Sequence, residues 1–248
     1  MKIGITGNTG FIGTHLTNYL QNKGFDIVPF EKEYFLYQDK LDSFVKKCDA
    51  IIHLAGQSKP HNKETVYIDN LSLSTKLYST IQDMKFKGHL IFVSSIHESE
   101  NNFYAKSKKK GREVLSLVKK TGAKFTGLIL PNVFGSGANI EHSFVAAFCR
   151  QFFEGKSPNV WKDIKVGLIY IDELMLIFED VIKIMEPIDY YEVRPTSGYK
   201  ISEVLELLEG YNRGENYDVY IKNDSFQVNL LKTWKKDLAT WQFLMNKN

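Results

Sequence analysis

The chain has 248 residues, 43% of them hydrophobic and 25% charged, with a formal net charge of +3. That length buries one large core and leaves room for a small appendage. The charge is too small to point to nucleic acid, and no apolar run nears the ~18 residues of a membrane span. Cys48 and Cys149 are far apart and show no metal-type spacing, which fits a reducing compartment. With a first strand predicted from Lys2, no signal peptide is expected, and the expected location is the cytoplasm.

Taken in chain order, Lys2–Thr6 reads as a buried strand and Phe11–Lys23 as a helix, its apolar residues Leu16, Tyr19 and Leu20 at helical spacing and Gly24 at its end. Strands are predicted at Phe25–Phe30, Asp49–Ala55, Leu90–Ser94 and Phe125–Leu130, and helices at Leu41–Lys47, Thr65–Met84 and Phe103–Thr121. This alternation predicts an α/β fold: a Rossmann-like, doubly wound parallel sheet covered on both faces. Beyond Pro131 the pattern loosens. Helices are predicted at Phe144–Glu154, Leu174–Met185, Ser202–Tyr211 and Phe226 to about Leu244, with a strand at Lys165–Ile171. The predicted division is a dinucleotide-binding domain over 1–135 and a small substrate-binding region over 136–248, interleaved with the last sheet strands.

The run Thr6-Gly7-Asn8-Thr9-Gly10-Phe11-Ile12-Gly13 lies between the first strand and the first helix. There Gly7 permits a tight turn, Gly10 lets the backbone approach a phosphate, and Gly13 lets helix and strand pack closely. Further on, Ser95 ends the fourth strand, and Tyr104 and Lys108 share a face of the next helix. At the carboxyl edge of the sheet Lys108 is expected to lower the Tyr104 pKa towards working pH and to bond a cofactor ribose, while Ser95 holds the substrate oxygen. A second Tyr-x-x-x-Lys, Tyr19 and Lys23, falls on the first helix with Tyr19 on its apolar stripe, and is read as structural. His53 and His89 lie in or beside strands and are read as structural. His15, His61 and His142 have no partner in sequence. His97, two residues after Ser95 and beside Glu98, is a candidate base or substrate contact.

With these pieces in this order, the chain resembles the extended short-chain dehydrogenase/reductase (NAD-dependent epimerase/dehydratase) family, in its nucleotide-sugar branch. His53-Leu54-Ala55-Gly56, Asn70, Pro131-Asn132-Val133-Phe134-Gly135 and Tyr170-Ile171-Asp172-Glu173 agree with the family pattern. The short gap from Ser95 to Tyr104, and Ser143 to Cys149 after the asparagine loop, resemble the reductase domain of capsular-polysaccharide enzymes acting on a 4-keto-6-deoxy-HexNAc nucleotide. Those enzymes continue into a cupin domain, whose epimerising activity is not expected here. The resemblance implies cofactor contacts from Thr9, Phe11, Ile12, Leu54, Ala55, Gly56 and Pro131, and substrate contacts from Asn132 and Ser143. It also implies a homodimer formed through the Thr65–Met84 helix and the helix bearing Tyr104.

The expected activity is therefore NAD(P)-dependent reduction of a nucleotide-linked 4-keto-6-deoxy sugar. Ser95, Tyr104 and Lys108 would carry it. Epimerisation of a nucleotide sugar, with His97 as base, and a non-catalytic cofactor-binding sensor are the alternatives. Glu31 after the second strand suits a ribose hydroxyl and NAD; Lys32 suits a 2′-phosphate and NADP, which the resemblance favours.

Overall fold

The computed structural model describes residues 1–58, 63–140, 143–160, 162–184, 188–195, 197–213 and 225–245; His61 and His142 lie outside them. In chain order the elements are β1 (Lys2–Thr6), α1 (Phe11–Asn22), β2 (Asp26–Val28), α2 (Gln38–Lys47), β3 (Ala50–His53), α3 (Lys63–Asp83), β4 (His89–Ser95), α4 (Phe103–Ser116) and β5 (Lys124–Leu130). They continue with β6 (Asn132–Phe134), α5 (Phe144–Phe153), β7 (Lys165–Tyr170), α6 (Ile171–Lys183), β8 (Tyr190–Glu192), β9 (Ser197–Lys200), α7 (Ile201–Asn212) and α8 (Ser225–Met245). Short 3-10 turns at Lys32–Phe35, Ile96–Ser99 and Leu117–Thr121 join some of them.

Two compact units result. The first comprises Met1–Leu130 and Met175–Val193, the second Pro131–Leu174 and Arg194–Asn248. The first holds a six-stranded sheet in the order β2-β1-β3-β4-β5-β8, every neighbouring pair parallel. Its winding reverses between β1 and β3, so the crevice where such sheets bind ligands opens beyond the carboxyl ends of those strands. β3 is buried at every position, as a central strand covered on both faces must be. With its Ile51 cluster Leu41, Phe44, Leu77, Ile81, Leu90, Phe92, Leu115 and Phe125. The helix predicted over Phe103–Thr121 ends as a 3-10 turn, and Gly122 closes it in the left-handed conformation at φ 86°.

The second unit carries a three-stranded sheet in which β6 and β7 are parallel and β7 and β9 antiparallel. Phe134, Phe148, Phe152, Leu168, Leu208, Phe226 and Trp234 form its core. Three short strands, β6, β8 and β9, were not legible as strands in the sequence. β8 is exposed at all three residues, so no alternation of buried and exposed positions marks it.

Candidate active site

The glycine turn after β1 has the geometry its spacing predicts. Gly7 sits at φ +75°, and a Cβ there would lie 2.8 Å from the Ala55 amide nitrogen. At Gly13 a Cβ would lie 2.1 Å from the Gly7 carbonyl oxygen, so only glycine lets α1 press against the turn. Gly10 differs: a Cβ would meet nothing nearer than the Gly7 oxygen at 3.4 Å, and the space beside it is left open. α1 starts from Gly10 with no side-chain cap, leaving its first-turn N–H groups for an anion. Phe11 and Ile12 form that first turn, Phe11 edge-on to His15 with ring centroids 5.3 Å apart.

A cleft of about 550 Å³ opens over this turn, lined by Gly7, Thr9, Gly10, Glu31, Lys32, Leu54, Ala55 and Gly56. Asn8, Phe30, Phe35, Gln57 and Leu73, which the sequence did not single out, line it as well. The wall is assembled by buried polar contacts. Thr6 Oγ1 hydrogen-bonds His53 Nδ1 at 2.7 Å and accepts from the Ala55 amide at 3.3 Å, which sets the 54–56 corner beside Gly7. Burial pushes the His53 pKa down to about 3, so this histidine is a neutral structural group, as its strand position suggested. His89 is likewise buried, with its Nε2 2.9 Å from Thr126 Oγ1. Asn8 donates to the Phe30 carbonyl at 3.2 Å and ties the turn to the end of β2. Asn70 on α3 binds both backbone groups of Gln57, at 2.7 and 2.9 Å, and donates to Ser107 Oγ at 3.0 Å, joining the corner to α4. The open space at Gly10, the uncapped helix start and the apolar slot by Phe30 and Leu54 suit a dinucleotide's pyrophosphate and adenosine.

Ser95, Tyr104 and Lys108 come together in the same unit. Asn102 caps α4 by accepting from the Ala105 amide at 2.8 Å, which starts the helix in register to present Tyr104 and Lys108 one turn apart. Ser95 ends β4, its hydroxyl bonded to that of Tyr104 and accepting from the His97 amide at 3.3 Å. Lys108 is buried; its ammonium donates to the Val93 carbonyl at 3.0 Å and lies 5.9 Å from the Tyr104 ring centroid. The expected lowering of Tyr104 by Lys108 does not hold. Burial, with the nearby Glu98 carboxylate, pushes Tyr104 up to about 12, and only the Ser95 hydrogen bond opposes it. Lys108 is itself lowered to about 8 by burial, against the pull of Glu98. At neutral pH the pair is a phenol that holds its proton beside a cation that is costly to keep buried. That arrangement is fit to donate a proton to an oxygen placed against Ser95 and Tyr104.

The other predicted positions are placed as follows. His97 Nδ1 pairs with Glu100 at 2.5 Å. Tyr19 is half-buried rather than in the core, and its hydroxyl bonds Glu179 on α6, away from Ser95. In the second unit Pro131 is buried, Asn132 donates to the Gly167 carbonyl at 3.3 Å, and Ser143 caps α5 by accepting from the Ala146 amide at 3.3 Å. Cys48 and Cys149 are both buried free thiols.

The model of the NAD dependent epimerase/dehydratase family matches residues 3–181. A curated relative, the UDP-2-acetamido-2,6-beta-L-arabino-hexul-4-ose reductase of Pseudomonas aeruginosa, is 29% identical over 222 residues; the match takes in 84% of this chain but only 57% of that protein. Among solved structures, the UDP-glucose 4-epimerase of Thermotoga maritima superposes with a TM-score of 0.83 at 16% identity, covering 97% of this chain and all (100%) of its own. RMD from Pseudomonas aeruginosa, complexed with NADPH, gives 0.81 at 20% identity, covering 98% of this chain and 100% of that one. The capsular polysaccharide assembling protein CapF from Staphylococcus aureus gives 0.78 at 23%, covering 98% of this chain and 66% of that one. At these identities the structural likeness speaks for the fold.

Proposed function

The chain belongs to the NAD dependent epimerase/dehydratase family, and from that premise we propose that it is an NAD(P)-dependent reductase of a nucleotide-linked 4-keto-6-deoxy sugar, serving surface-polysaccharide precursor synthesis. The observation that carries the reading is the Ser95–Tyr104 hydrogen bond above a buried Lys108, with Tyr104 held protonated. A ketone reduction needs an acid at the oxygen, and this phenol is one at neutral pH. A nicotinamide held in this cleft would supply the hydride. Tyr104 would give its proton to the ketone oxygen, Ser95 would donate a hydrogen bond to that oxygen and limit its charge, and Lys108 would hold the ribose and stabilise the phenolate left on Tyr104 until solvent reprotonates it. The glycine turn and the start of α1 take the pyrophosphate. Lys32 on the cleft wall would pair with a 2′-phosphate and favours NADP over NAD, despite Glu31 beside it. His97 and Asn132 are proposed substrate contacts; Ser143, with its hydroxyl engaged as a helix cap, is the weaker of the set.

Two further assignments rest on the family. A homodimer is proposed through α3 and α4, whose surfaces expose Ile68 and Phe103. A cytoplasmic location is proposed by analogy with the family. The test is direct. Purified protein with NADPH and a UDP-linked 4-keto-6-deoxy-HexNAc should oxidise NADPH and yield the 4-hydroxy sugar by NMR. No oxidation with a panel of 4-keto nucleotide sugars, despite tight NADPH binding, would overturn the proposal.

A further inference from the structure

The segment that follows Ser95 is held by an ion pair between Glu98 and Arg112. Ile96–Ser99 is a single 3-10 turn, too short to fix its own position. Glu98 at its centre does so instead. Its carboxylate accepts from the Ser94 hydroxyl, and from Arg112 through Nε at 3.0 and 3.2 Å and Nη2 at 2.7 Å, a two-pronged grip with directional as well as electrostatic force. Both partners are largely covered, with side-chain exposures of 12% for Glu98 and 25% for Arg112. Arg112 lies one turn beyond Lys108 on α4. It reaches Glu98 across Gly127 of β5, where a Cβ would come within 2.9 Å of its Cδ, and its guanidinium rests 5.1 Å from the Tyr190 ring centroid on β8.

This places one carboxylate between the strand end that carries Ser95 and the helix that carries Tyr104 and Lys108. We propose that Glu98, gripped by Arg112, is a positioning residue that sets the Ser95 hydroxyl against the Tyr104 hydroxyl. The inference rests on the proposed reduction at that site. Ser94 and Ser95 are adjacent, so anchoring the Ser94 side chain to α4 through Glu98 and Arg112 fixes the strand end at the residue before the one that meets substrate. A shift of about 1 Å between Ser95 and Tyr104 is enough to slow turnover about a hundredfold.

Four variants test it: Glu98→Gln, Arg112→Gln, the double variant and Arg112→Lys, with Tyr104→Phe as reference. The readouts are kcat, KM for the nucleotide sugar, NADPH affinity by fluorescence titration, and Tm. Glu98→Gln and Arg112→Gln should each lower kcat about ten- to a hundredfold with NADPH affinity unchanged. The double variant should be no worse than the poorer single, because the pair acts as one unit. Arg112→Lys keeps the charge without the fork, retains the fold, and should show a smaller loss in the same parameter. If Tyr104→Phe abolishes turnover while the Glu98 and Arg112 variants keep wild-type kcat, the positioning role is overturned and the reductase reading stands. If kcat, NADPH affinity and Tm fall together, the pair is merely structural and the inference fails. If Tyr104→Phe itself turns over normally, the reading of the site fails first and takes the inference with it.

Discussion

Replacing Lys108 by methionine should stabilise the protein while abolishing turnover. Lys108 is 9% exposed, and burial lowers its pKa from an ordinary 10.5 to about 8. At about 1.4 kcal/mol per tenfold, keeping it charged at pH 7 costs the fold about 3 kcal/mol. Methionine fills the same volume without that cost, but leaves the Val93 carbonyl without its 3.0 Å donor, a loss of about 1–3 kcal/mol. The net gain at pH 7 is about 1 kcal/mol. The pH dependence is the sharper test because the carbonyl contribution cancels from it. The folded pKa lies below the unfolded one, so between about 8 and 10.5 the unfolded chain binds more protons and wild-type stability rises with pH. The advantage of the variant should therefore shrink by about 2 kcal/mol between pH 7 and pH 9.5. Urea denaturation of both proteins across that range measures it. A gap that stays constant with pH would refute the claim that Lys108 is a strained buried cation.

Further expectations follow from single positions. Gly10→Val should fold normally yet lose cofactor affinity by at least about a hundredfold, since its side chain projects into space that only a ligand would fill; an unchanged NADPH titration would sink the dinucleotide assignment. Gly13→Ala should instead cost several kcal/mol of stability, about 3 or more, because its Cβ would strike the Gly7 oxygen; a Tm equal to wild type would count against the tight turn. His53 and His89 are held neutral by burial, at about 3 and about 4, below the ordinary 6.5. The unfolded chain then takes up protons as pH falls below that value, so stability should drop from about pH 6 downwards. His89→Gln, which keeps a partner for Thr126, should flatten part of that fall in Tm, and an unaltered acid limb would show that His89 plays no part. Tyr19→Phe loses only the bond to Glu179 and should retain near-wild-type kcat; a large loss would place the wrong tyrosine at the centre.

Much of this was legible in the sequence because the signals were local. The glycine turn, the buried strand before it and the helical period of Leu16 and Leu20 specify β1, α1 and the phosphate-facing turn without tertiary information. Tyr104 and Lys108 were separable from Tyr19 and Lys23 because one pair begins the helix after β4 and the other sits on α1. What was not legible depends on long-range packing. β8 pairs with β5 across some sixty residues of chain and bears no alternation. The acidity of Tyr104 was misjudged because burial, which spacing does not reveal, outweighs the influence of Lys108. Glu98 and Arg112 are 14 residues apart and carry no motif; only the open lane at Gly127 brings them together.

Tyr104→Phe tests the central claim most directly. The change removes one oxygen and leaves the ring packed. Purified variant and wild type would be compared for NADPH oxidation with a UDP-linked 4-keto-6-deoxy-HexNAc, alongside NADPH titration. The account predicts a kcat lower by about 10²–10⁴ with cofactor affinity little changed. A Tyr104→Phe variant that turns over at the wild-type rate would contradict it.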